Sequence, residues 1–249
     1  FAIAFCSFVG KIANMQIVFV LAIVITASFL LLTSGFFLNQ ISFYLHTNKA
    51  INAMANYQLF ALLVSGVASL IIFYLNPGSK VLLSMGNLKI AAVKEKWLGI
   101  NGNANWFING AQLLLFISLV TSIFIFITVR NQTSSISFNW SFVPYILLFA
   151  FSNAVAEELI YRYCIVGGLN LYCSKSFILI TSAILFGLSH FFGMPNGIIG
   201  VLISAVLGYI LCKATMETKG IFTAWFIHFV QDVIIFTGIF ILHASNKSV

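Results

Sequence analysis

The chain has 249 residues, of which 61% are hydrophobic and only 7% charged. Soluble globular domains carry about a quarter charged residues, so this composition excludes a water-soluble fold and implies an all-α polytopic membrane bundle. The net charge of +7 would suit nucleic acid in a soluble protein. Here the cations lie mostly between apolar stretches, so the expected partner is the anionic surface of a lipid bilayer and no nucleic acid.

The chain opens on Phe1 rather than Met. That reads as a truncated or processed start, and FAIAFCSFVG as the stub of a further span rather than a signal peptide. Seven apolar stretches follow, at about 17–38, 57–76, 107–130, 142–169, 176–192, 197–213 and 221–243. Each approaches the roughly 20 residues that a helix needs to cross a bilayer, and none alternates as a barrel strand would. The prediction is seven transmembrane helices, or eight if the N-terminal stub belongs to one. Between these spans, Lys11, Lys80, Lys89, Lys94, Lys96, Lys175, Lys213 and Lys219 fall on one side, and Lys49, Arg130 and Lys247 on the other. The excess of cations puts the first side in the cytoplasm.

Residues 77–106 form the longest connection. NPGS opens it as a turn, and VLLSMGNLKIAAVKEKWLGI mixes apolar and basic residues. It reads equally as a helix lying on the lipid surface and as an ordinary cytoplasmic loop. Cys6, Cys164, Cys173 and Cys212 lie in or beside apolar stretches and form no CxxC pair. They read as small core residues, not as disulfides or zinc ligands.

The chain has five acids. Glu95 and Glu217 fall in cytoplasmic loops, whereas Glu157, Glu158 and Asp232 fall inside spans. A carboxylate at the bilayer centre costs at least ~2.5 kcal/mol, so these three are expected to face a polar interior and to have partners. On a helix Glu158 and Arg162 are i,i+4 and can pair directly. Glu157 lies about 100° further round and lacks that partner, which leaves it free to act as a general base. The structural alternative is an ion-pair cluster that pins one helix in the bundle.

Two further segments carry imidazoles. FGLSH (186–190) puts Phe186 and His190 on one helix face, and HFVQD (228–232) does the same for His228 and Asp232. A carboxylate on one ring nitrogen would fix the tautomer of His228 and raise the basicity of the other nitrogen. Each histidine read alone is a packing residue as readily as a catalytic one, and His46 and His243, with no partner in the sequence, read as packing residues. Together the three segments carry what amide hydrolysis needs: a base for water, groups for the oxyanion and a proton donor for the leaving nitrogen.

The order EELIYR (157–162), FGLSH (186–190), HFVQD (228–232) resembles the EExxxR, FxxxH, HxxxN/D pattern of the CPBP family. That family comprises the type II CAAX prenyl endopeptidases and bacterial relatives linked to bacteriocin self-immunity. The resemblance covers about 140–243 and divides the chain into accompanying spans with a cytoplasmic loop, 1–140, and a catalytic core, 141–249. It implies an intramembrane endopeptidase acting on a membrane-associated peptide or protein. By motif matching, Glu157 activates water with help from His190, while His228 and the residue at 232 hold the oxyanion. Glu158 and Arg162 are structural and orienting. An Asn at 232 could donate to an oxyanion and ionised Asp232 cannot, so Asp232 is expected to orient His228 instead.

Relatives are often labelled metalloproteases. Glu157, His190 and His228 could supply three zinc ligands, but HExxH spacing is absent, and a metal-independent mechanism is preferred. Straight spans place His190 near the outer end of its helix and His228 in the cytoplasmic third of its own. The fifth span is therefore expected to tilt or to run on into HFFGMPNG. The competing functions are a non-catalytic immunity or scaffold protein of the same fold and a small proton-coupled transporter. The expected location is the bacterial plasma membrane.

Overall fold

The computed structural model describes residues 2–133 and 136–245. Among them no β-strand occurs, only two isolated bridges. The helices are α1 (Ala2–Leu32), α2 (Ser34–Leu38), α3 (Lys49–Leu75), α4 (Trp106–Gln132), α5 (Val143–Glu158), α6 (Ile165–Leu169), α7 (Lys175–Ser189), α8 (Gly197–Thr218) and α9 (Phe222–Ser245). A π-helical turn, Leu159–Cys164, joins α5 to α6 without a break. Six segments are long and apolar enough to cross a membrane, and α7 is a shorter apolar helix. The protein is an all-α polytopic bundle; of the seven apolar stretches in the sequence, six carry these long segments and the fifth carries α7.

Local chemistry sets the helix starts. Asn48 accepts from the amides of Ala50 and Ile51, Asn105 from Ile108 and Ser174 from Phe177, so each short polar side chain satisfies amides that the first turn leaves unpaired. The interior is built round the end of α5. Ile160, Tyr161, Tyr163, Cys164 and Ile165 are wholly buried there, enclosed by α1, α3, α7 and α8. In hydrocarbon, helices associate by close packing of small residues. A Cβ on Gly187 of α7 would sit 2.7 Å from the Val201 carbonyl oxygen of α8. A Cβ on Gly208 would sit 3.1 Å from the Phe186 side chain. These glycines seat α7 against α8.

The long connection between α3 and α4 is a tied loop and not a surface helix. It holds two 3-10 turns, Pro77–Leu82 and Lys96–Leu98, and the bridges Ala91–Asn105 and Glu95–Ile100. Glu217, at the end of α8, accepts from the Val93 amide and the Trp106 indole, both at 2.9 Å, and pairs with Lys213 at 2.6 Å. Nearer the membrane, the Asn87 amide donates to Thr218 O and the Ile221 amide to Leu82 O. The loop is thereby strapped over the α8–α9 turn.

The longitudinal conflict between His190 and His228 is resolved differently from the sequence expectation. α7 does not extend into HFFGMPNG; it ends at Ser189, with His190 as its C-cap. Its 15 residues span only ~22 Å, against a hydrocarbon core of ~30 Å. At 1.5 Å per residue, Lys175 to His190 rises ~22 Å and Leu169 back to Glu157 ~18 Å, so the end of α7 stands near the level of Glu157 without any extension.

Candidate active site

Three elements deliver the site. α5 carries Asn153 and Glu157 one turn apart, with Glu158 next in the chain. The C-cap of α7 delivers His190, and one face of α9 delivers His228 and Asp232. The π turn begins directly after Glu158 and contains Arg162. Such i→i+5 turns recur at functional sites because they re-aim side chains within an otherwise regular helix.

Glu158 is fully buried and engaged on two sides. Its Oε2 lies 3.2 Å from Arg162 Nε, and its Oε1 lies 2.8 Å from His228 Nδ1. Arg162 is itself fully buried, with its guanidinium carbon 4.1 Å above the centre of the Phe186 ring, a cation–π contact. Phe186 also meets the rings of His190 and His228, at centroid distances of 4.4 and 5.5 Å. The first residue of FGLSH is therefore the spacer between the guanidinium and both imidazoles.

Glu157 is the acid outside this ion pair. Its Oε2 is buried without a hydrogen-bond partner. It lies 3.7 Å from His190 Nε2 and 3.8 Å from His228 Nε2. These separations exceed direct hydrogen bonds, so the oxygen faces both rings without being bonded to either. His190 Nδ1 lies 2.8 Å from the Phe186 carbonyl oxygen. A carbonyl only accepts, so Nδ1 is the donating nitrogen and Nε2 is left to face Glu157. The ring is fixed from behind, with its open nitrogen toward the acid.

Asp232 departs from its expected role. His228 Nδ1 is held by Glu158, not by Asp232, whose Oδ1 stands 3.6 Å from Nε2 on the opposite edge of the ring. One helical turn separates His228 from Asp232, and that spacing puts the two on one face but leaves the ring turned toward α5. A residue missed in the sequence also enters here. Asn153 Nδ2 donates to Glu157 Oε1 at 3.2 Å and to Asp232 Oδ2 at 3.1 Å. The i,i+4 spacing of Asn153 and Glu157 was visible, but the contact to Asp232 crosses between helices and leaves no trace in the sequence. His46, as a packing residue, hydrogen-bonds Tyr145 Oη at 3.1 Å. Cys164, Cys173 and Cys212 are free thiols.

Glu157, His190 and His228 are the residues that could hold zinc; among the described residues no three His, Cys, Asp or Glu side chains are grouped as a metal site, so the metalloendopeptidase label finds no support here.

What the arrangement offers is a carboxylate oxygen without a bonded partner, flanked by two imidazole nitrogens of fixed orientation. Glu157 is 13% exposed and His190 26%, so the acid is shielded and one of its flanking rings is reachable. Residues 139–234 match a family model described as type II CAAX prenyl endopeptidase Rce1-like. No curated protein and no solved structure matches the chain.

Proposed function

We propose that this chain, whose residues 139–234 match the type II CAAX prenyl endopeptidase Rce1-like family model, is an intramembrane endopeptidase that cleaves a membrane-associated peptide or protein with water activated by Glu157. The observation that carries this reading is the convergence of His190 Nε2 and His228 Nε2 on the one unpartnered oxygen of Glu157, at 3.7 and 3.8 Å.

In the proposed reaction, water sits between Glu157 and His190. Glu157 takes its proton as the oxygen attacks the scissile carbonyl carbon. The carbonyl π electrons move onto oxygen, and the oxyanion is met by His228. That ring lies between Glu158 on Nδ1 and the carboxyl groups of Glu157 and Asp232 on Nε2. Carboxylates on both edges complement an imidazolium that donates from both nitrogens, so Nε2–H is available to the oxyanion. The tetrahedral intermediate then collapses, the C–N bond breaks, and the proton held by Glu157 passes to the leaving nitrogen. Glu158 and Arg162 hold His228 and stay outside the proton path. No step requires a metal. The multi-pass chain acts on a substrate presented by the bilayer, and its compact set of spans suits a bacterial plasma membrane.

The test is comparative proteomics of membranes carrying the wild-type chain or Glu157→Gln at equal abundance. A protein whose C-terminus is shortened only with the wild type supports the reading. Identical termini in the two membranes would sink it.

A further inference from the structure

Glu158 has Arg162 and His228. Glu157 and Asp232 have neither a guanidinium nor an ammonium beside them, and they approach each other from α5 and α9. Neighbouring carboxyl groups disfavour each other's ionised form. Between them stands the half-buried Asn153. Its single NH2 group donates to both, at 3.2 Å to Glu157 Oε1 and 3.1 Å to Asp232 Oδ2. Carboxylates only accept, so the amide nitrogen, not its oxygen, must face them. Two hydrogens meet two acceptors, and no donor remains for a substrate oxyanion.

The consequence is geometric. Each acid has one oxygen tied to Asn153, while the other, Glu157 Oε2 or Asp232 Oδ1, is the one that faces His228 Nε2. Were Glu157 free to rotate about its last torsion, which is broad for a carboxylate, the oxygen presented to the imidazoles would not be held in place. We propose that Asn153 is a positioning residue, which bridges Glu157 and Asp232 through one amide group and thereby aims the remaining carboxylate oxygens at the imidazoles. This rests on the protease reading for its effect on turnover, but the bridge itself does not.

The bridge is an amide shared across two helices, so exchanging its ends should preserve it. Three variants of the full chain, Asn153→Asp, Asp232→Asn and the exchanged double, are reconstituted in proteoliposomes with a quenched-fluorescence farnesylated CAAX peptide. Asn153→Asp puts a third carboxyl in place of the donor. It is expected to lower kcat by about tenfold or more, the worth of one charge-assisted hydrogen bond, with KM unchanged, and to lower Tm in detergent by about 4 °C. Asp232→Asn alone is expected to lower kcat and Tm less than Asn153→Asp does, because the Asn153 amide can still donate to the remaining side-chain oxygen at 232. The exchanged double returns an amide to the α5–α9 gap and recovers most of the lost kcat and Tm. Wild-type turnover in Asn153→Asp, or an exchanged double no better than that single variant, overturns the proposal. If wild type and Glu157→Gln are equally inert on the peptide and on total membrane protein, the protease reading fails. The Tm comparison then decides the bridge alone: recovery in the exchanged double retains it and no recovery removes it.

Discussion

Two adjacent glutamates are given different surroundings by a rotation of about 100° along the helix. Glu158 is enclosed by Arg162 and His228, and Glu157 keeps one oxygen unbonded. Their substitutions should therefore fail differently. Glu157→Gln is expected to insert and accumulate normally and to lose about a hundredfold or more in cleavage, the scale of a missing general base. Arg162→Ala leaves Glu158 buried without its cation, a change that costs about 3–5 kcal/mol. Quantitative blotting of membranes should show Arg162→Ala depleted and Glu157→Gln at wild-type level. The Glu158–Arg162 pair was readable from i,i+4 spacing alone. The grip of Glu158 on His228 was not, because the two are 70 positions apart and only the packed bundle determines which carboxylate reaches Nδ1.

At the scale of elements, apolar runs located the spans, since a bilayer demands length and hydrophobicity from each one. They did not locate where α7 stops. The stretch Lys175–His190 continues into HFF without a polar break, so hydropathy alone extends the helix. What ends it is the turn at His190, whose amide donates to Gly187 O, followed by Gly193 N donating back to His190 O. The position of His190 then depends on how α7 sits on α8. Gly187→Val would drive methyl groups into the Val201 carbonyl, 2.7 Å from the first added carbon, and a backbone oxygen has little room to yield. Such overpacking costs about 1–3 kcal/mol. The measurable outcome is a lower Tm, accompanied by loss of cleavage although residue 187 carries no reactive group. The π turn likewise escaped the sequence, because its residues are ordinary helix formers and the extra backbone residue is accommodated by packing.

For the molecule as a whole, charge decides orientation. The loop of residues 77–105, with Lys80, Lys89, Lys94 and Lys96, belongs to the side that the cation excess assigns to the cytoplasm. Lys89→Cys, in a background without native cysteines, should react with an impermeant maleimide only after cells are opened. Labelling in intact cells would invert the orientation and with it the side from which the substrate is presented. The chemistry has a whole-molecule test too. On the proposed metal-independent reaction, cleavage by purified protein should survive a strong chelator and metal analysis should find no stoichiometric zinc; activity lost to the chelator and restored by zinc would overturn it.

The early stop of α7 has one more effect. Residues 190–196 turn back some 20 Å short of the outer ends of α5 and α9, at 1.5 Å per residue from Glu157 to the start of α5. Irregular backbone at that depth is tolerated only against protein or beside water, never against lipid chains. His190 N and Phe191 N donate back to Gly187 O and Leu188 O, and Gly193 N and Gly197 N donate to His190 O at 2.9 Å and Phe191 O at 2.7 Å. The proposed hydrolysis needs water at Glu157, and a turn that lipid chains cannot line, set beside His190, is where the bundle would admit it.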